Sequence, residues 1–157
     1  MKNNILKGFL LLGVLTLAFA CDTKKEEPVV VDKEQIKKEI QAKENEFASV
    51  YNSGELKSIG YYADDAVSYS QNNAPIIGKQ NISEFLKENI SSTSNKIAFK
   101  TGEVFVSADG NQVVETGDFE LKDSTTGIIV SKGNYMSLFV KKDGKYVCLR
   151  DMSVSYK

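Results

Sequence analysis

Residues 128–155 read IIVSKGNYMSLFVKKDGKYVCLRDMSVS, two long runs rich in β-branched and aromatic residues, joined by Lys142-Asp143-Gly144-Lys145. Asp-Gly at the joint lets the backbone take the positive φ of a tight hairpin. The runs therefore predict two antiparallel strands, 128–141 and 145–155. The same pattern extends backwards. Ala108-Asp109-Gly110-Asn111 joins the runs 97–107 and 112–121, and the looser segment 123–127 leads into the final pair. Four consecutive strands of this kind make an antiparallel meander.

Upstream the period changes from two to three and four. Asp32-Lys33-Glu34-Gln35 has the form of a capping box, and Ile36, Ile40, Phe47, Val50 and Tyr51 then fall on one face of a helix over 33–52. Lys43 and Glu44 interrupt that stripe, which predicts a wetter middle. Asn52-Ser53-Gly54 stops the helix. A short second helix is expected over 55–62 and a third over 79–90, where Ile82, Phe85, Leu86 and Ile90 share a face. An early strand, 66–70, with a turn near Asn72-Asn73, lies between them. Helices first and a meander afterwards make an α+β domain, with the helices on one face of the sheet.

Composition narrows the chemistry. In 157 residues, 20 Lys and Arg stand against 21 Asp and Glu, so no basic excess exists to hold a polyphosphate backbone, and nucleic acid is not an expected partner. The chain has no His, which removes the commonest general base and metal ligand together. Its two Cys, 21 and 148, build neither a zinc site nor a disulfide framework, and no cofactor or metal is expected. Without a His to activate it, Cys148 reads as a packing residue.

The first 31 residues carry an address. Lys2 and Lys7 precede an unbroken apolar run, Gly8 to Ala20, too short to span a hydrocarbon core of about 30 Å. Leu17-Ala18-Phe19-Ala20-Cys21 resembles a bacterial lipobox. That resemblance implies a lipoprotein signal peptide over 1–20, cleavage before Cys21, and acylation of Cys21 (palmitate or a similar chain). Residues 21–31 then form a charged tether and 32–157 the folded domain. The implied location is the bacterial cell envelope, most simply the outer membrane, with lipid contact through the anchor alone.

Gly54-Glu55-Leu56, Tyr62-Ala63-Asp64-Asp65-Ala66, Ile77-Gly78-Lys79 and, at the far end, Gly133-Asn134-Tyr135-Met136 and Arg150-Asp151 occur in an order and spacing with a known counterpart. Together they resemble the nuclear transport factor 2-like superfamily, which includes SnoaL-like and ketosteroid-isomerase-like proteins. The resemblance covers residues 33–155. It implies a cone, a bent antiparallel sheet wrapped around the N-terminal helices, with a pocket on its concave side. It also implies that Asp64-Asp65 caps a turn after the second helix. Members include enzymes and plain binders, so the fold does not decide the function.

Counting along the family pattern, the isomerase oxyanion-binding Tyr falls on Phe47, the general base on Ser70 (beside Tyr69) and the second Asp on Met136. Moving a proton next to a carbonyl needs a base and a donor to the enolate oxygen, which Phe47, Ser70 and Met136 do not supply. No catalytic residue is assigned. With Met136 inward, alternation also turns Lys132, Asn134, Leu138 and Val140 inward. Ser153 does the same for Val147, Leu149 and Asp151, while Val113 and Phe119 bring Glu115. The expected ligand-binding set is Phe47, Tyr51, Tyr69, Glu115, Lys132, Asn134, Met136 and Asp151, with Lys132 neutralising an acid. The opposite parity exposes Tyr135, Phe139, Tyr146 and Cys148, and this apolar face predicts a homodimer centred on Phe139 or Tyr146. Three functions remain open: a binder of a small, partly apolar molecule, an enzyme using Asp151 or Glu115 as acid or base, and an interaction module with a filled pocket.

Overall fold

The structure, a computed structural model, describes residues 31–54, 60–92 and 94–156. The signal peptide, Cys21, most of the tether and residues 55–59 of the expected second helix lie outside the described residues. At the start of the domain the Asp32 side chain accepts the Gln35 N–H at 3.0 Å and caps helix α1, Lys33–Ser53. Gly54 ends it in the left-handed conformation, φ 73°. Strands β1 (Tyr62–Ser70) and β2 (Ile76–Ile77) follow. Helix α2 (Lys79–Ser92) then leads into four long strands, β3 (Asn95–Val106), β4 (Gln112–Asp123), β5 (Ile129–Lys142) and β6 (Lys145–Tyr156).

The six strands form one curled, unclosed sheet in the order β2-β1-β6-β5-β4-β3. The expected meander is present as antiparallel β3 to β6. One pairing departs from an all-antiparallel sheet: β1 lies parallel to β6. Residues 60–62 also differ from the helical expectation. Gly60 and Tyr61 form a turn and Tyr62 opens β1. Asp64 and Asp65 cap no turn after a helix. They are exposed on an irregular stretch of β1, near Lys79 (3.7 Å) and Lys142 (3.3 Å) respectively.

Helix α1 is docked against β3 by two side-chain amides. Gln41 accepts the Thr101 N–H at 2.8 Å and donates to the Phe99 carbonyl, while Asn52 both accepts from and donates to the Ile97 backbone at 2.8 Å. These contacts satisfy part of an edge strand that would otherwise offer open pairing groups. They also fix which face of α1 looks into the curl. On that face Ile36, Ile40, Glu44, Phe47 and Ala48 are buried.

Side-chain parity on the last two strands differs from the expectation. On β5 the buried positions are Gly133, Tyr135, Ser137 and Phe139, so Lys132, Asn134 and Met136 point to the outer face. The count back through the hairpin was out by one residue, and a one-residue shift turns every side chain over. On β6 the parity changes within the strand. Cys148 pairs with Phe139 but Arg150 pairs with Leu138, so Leu149 is an extra residue, a β-bulge. Tyr146 and Cys148 therefore face inward before the bulge, and Asp151 and Ser153 face inward after it. Val147 and Leu149 do not share the face of Asp151. Phe139 (0% exposed) and Tyr146 (3%) are core residues and cannot centre a dimer interface. The outer face presents Met136, Met152, Val154 and Tyr156 instead.

Candidate functional site

A cavity of about 210 Å³ opens on the concave side of the sheet. Helix α1 contributes Phe47, Tyr51 and Glu44, while β1 and the turn before it contribute Tyr61, Tyr62, Ser68 and Ser70. Phe85 and Leu86 of α2 close one side, Phe99 and Phe119 the other. Tyr135, Ser137, Asp151 and Ser153 come from β5 and β6. Its walls are rings. Phe47 packs against Tyr61 (5.0 Å between centroids), Tyr62 (6.2 Å) and Phe99 (5.7 Å), and Phe99 meets Tyr135 edge-on at 5.4 Å.

Three carboxyl groups lie behind these rings, each holding a tyrosine. The Tyr61 hydroxyl donates to Glu44 Oε1, the Tyr62 hydroxyl to Asp151 Oδ2 at 2.7 Å, and the Tyr135 hydroxyl to Glu115 Oε1 at 2.7 Å. Thr101 adds a second bond to Glu115 Oε1 at 2.5 Å. Glu44 is 1% exposed and Glu115 is fully enclosed. Burial disfavours a charged carboxylate, and the neighbouring Glu115 adds repulsion, so the Glu44 carboxyl is pushed up to about 9. Burial also raises Glu115, against the pull of Thr101, Tyr135 and Glu44. Glu44 thus carries a proton at neutral pH and offers it to Glu115. Glu115 Oε2 is buried and receives no hydroxyl or amide donor. Asp151 is likewise raised by burial, with Ser68, Tyr62 and the Tyr69 N–H opposing. Its Oδ1 is buried with no partner.

Of the residues proposed from sequence, Phe47, Tyr51 and Asp151 line the cavity and Glu115 lies behind it. The others are elsewhere. Tyr69 sits in a shallow depression of the outer face with Met136 and Leu138. Lys132 lies over the Tyr156 ring at 5.5 Å and neutralises neither acid. Asn134 donates to Asp118 at 2.6 Å on the outer face. Of the positions counted to the isomerase groups, Phe47 and Ser70 do line the cavity, whereas Met136 does not. Cys148 is buried and its thiol is pushed well up, chiefly by burial, so it is an inert packing group.

Sequence reasoning missed Glu44, Tyr61, Tyr62 and Tyr135. A signal for Glu44 existed. It follows Ile36 and Ile40 at intervals of four and precedes Phe47 by three, so it occupies the apolar stripe it was taken to interrupt. Among the described residues, no three His, Cys, Asp or Glu side chains converge closely enough to hold a metal ion.

Comparison with known proteins agrees with this architecture. No curated protein matches the sequence. Among solved structures, a ketosteroid isomerase-like protein from Erwinia carotovora atroseptica superposes with a TM-score of 0.60 at 17% identity, over 76% of this chain and 95% of that one. An NTF-2 like protein of unknown function from Shewanella oneidensis gives 0.63 at 19% identity, over 75% and 98%. An NTF2-like protein with a cystatin-like fold from Novosphingobium aromaticivorans gives 0.66 at 12%, over 79% and 84%. At these identities the likeness is one of fold. Residues 45–155 match the family model of the nuclear transport factor 2 (NTF2) domain, most of the curled sheet and the cavity-facing half of α1 included, and the chain belongs to that family.

Proposed function

We propose that this protein binds a small, partly apolar molecule in the cavity of its cone and releases it unchanged. The observation that carries the reading is the ring-walled space of about 210 Å³ with a polar floor, the usual composition of a small-molecule site. Purified from its own cells and sprayed intact, the full chain should show a bound small molecule. Ser153→Phe, which places a ring in the cavity, should abolish that adduct. A wild-type protein bare of any adduct would favour the filled interaction module.

A second reading, acid–base turnover of a carbonyl or ring compound, has the raised carboxyl groups in its support. It is weaker because Glu115 is enclosed behind Tyr135 and Thr101. The cavity also has Phe47 and Ser70 where the isomerase pattern has its hydroxyl donor and its base.

The same proposal includes a membrane tether through acylated Cys21, supported by the lipobox-like Leu17-to-Cys21 sequence. Among the described residues no helix is long and apolar enough to cross a membrane. Cys21→Ser should leave the chain unprocessed or released from the membrane fraction. A cleaved, still membrane-bound variant would refute the tether.

A further inference from the structure

The hydrogen-bond inventory of the cavity says what its occupant must bring. Every phenolic hydroxyl at the floor has already given its proton: Tyr61 to Glu44, Tyr62 to Asp151 and Tyr135 to Glu115. Each Tyr has one such proton to give. The Glu44 proton is directed at Glu115. What remains open is an acceptor, Asp151 Oδ1, buried and without a partner in a residue that lines the cavity. The serines, the Tyr51 hydroxyl and the Asn89 amide on the cavity walls can each donate or accept, so they impose no demand.

The charge count points the same way. Among the described residues no Lys or Arg lines the cavity. Arg150, next to Asp151 in sequence, is turned away by the bulge and donates instead to the Asp65 and Leu149 carbonyls at 3.0 and 2.6 Å. Lys132, the cation expected here, is on the outer face. Among the described residues Asp151 therefore has hydrogen bonds but no countercharge, an unfavourable state for a buried carboxylate. Tyr62, Tyr61 and Phe47 line the same cavity as Asp151 and pack against one another, and aromatic rings attract a cation once water is excluded.

We infer that the molecule held in the cavity is an organic cation, a primary amine on an apolar or aromatic body, whose ammonium group is received by Asp151. This rests on the reading of the cavity as a binding site. An ammonium supplies three donors and one positive charge in a compact group, which is what the floor lacks. The apolar body lies against Phe47, Tyr51 and Phe99. A carboxylate or phosphate ligand is disfavoured by the same inventory, because it brings acceptors to a floor of acceptors.

The test is a matched series titrated calorimetrically into the full chain: 2-phenylethylamine, 2-phenylethanol and phenylacetate. The amine should bind roughly tenfold or more tighter than the alcohol, as a charge-assisted bond replaces a neutral one, and phenylacetate should not bind. Asp151→Asn should bring the amine down to the affinity of the alcohol. Asp118→Asn, on the outer face, should leave it within about twofold. If the alcohol binds the wild type as tightly as the amine, the cation inference falls while the small-molecule reading stands. If phenylacetate binds best, it falls likewise. If none of the three binds, both fall. The wild-type series needs no variant to fold.

Discussion

Replacing Gly133 by alanine should cost the domain on the order of 3 kcal/mol or more, a large part of the stability of an ordinary domain. A methyl at this position would stand 2.0 Å from the Val154 carbonyl oxygen and 2.7 Å from the edge of the Phe119 ring. The ring can turn aside, but the oxygen belongs to the backbone of the adjoining strand and cannot move without breaking the β5–β6 ladder. The glycine is there because Phe119, its cross-strand partner on β4, lies over it on the way to the cavity wall. Gly60→Ala is the matching control, since its added methyl meets nothing within 4 Å among the described residues. Urea unfolding should show a much lower midpoint for Gly133→Ala at unchanged slope, and a nearly unmoved one for Gly60→Ala. Equal midpoints would mean that the close approach at Gly133 is not real.

Glu44→Gln should make the protein more stable at neutral pH, by up to about 3 kcal/mol. Glu44 releases its proton near 4.5 in the unfolded chain and near 9 in the folded one. Between those values the folded state holds a proton that the unfolded state has lost. Stability is therefore fully present below about pH 4.5 and falls as pH rises towards 9. Glutamine has the shape of the protonated acid. Its carbonyl can accept from Tyr61 and its amide can donate to Glu115, but it does not titrate. Urea midpoints at pH 5 and pH 8 should separate widely for the wild type and much less for Glu44→Gln. A residual slope of the same sign is expected from Asp151 and Glu115, both also raised by burial. Parallel pH profiles for the two proteins would show that Glu44 is not the group responsible.

The parts of this fold legible in the sequence were those written in local chemistry. Asp32 and Gly54 bracket α1, and the Asp-Gly pairs at 109–110 and 143–144 fix two hairpins because few other residues tolerate the turn. Val113 and Phe119 gave the inward parity of β4, and Glu115 came with them correctly. The rest depended on partners distant in sequence. Glu44 is acceptable in an apolar stripe because Tyr61, seventeen residues on, gives it a hydrogen bond, and nothing local announces that. Lys132, Asn134 and Met136 were misplaced because alternation carries no absolute sign, and Tyr69, named only as the neighbour of Ser70, lies on the other face of β1. The sign must come from a burial pattern, and on β5 Tyr135 and Phe139 were the better guide. On β6 even a correct sign would have failed, because the strand reverses it midway.

That reversal ties the shape of the cavity wall to chain length. Across the hairpin β6 has one residue more than β5 between Tyr146 and Asp151, and the surplus is absorbed at Leu149. Losing Leu149 alone would leave Tyr146 and Cys148 paired as before and Asp151 still opposite Ser137, because four steps on β6 would then match four on β5 and plain alternation keeps Asp151 inward. The extra residue therefore does not choose which side chains make the floor; it bends the strand and sharpens its twist, and its loss would flatten the wall that carries Asp151. In a lineage built on this sheet, the shape of the pocket can therefore change by one in-frame codon deletion while the residues lining it stay the same, a route that substitution tables do not count.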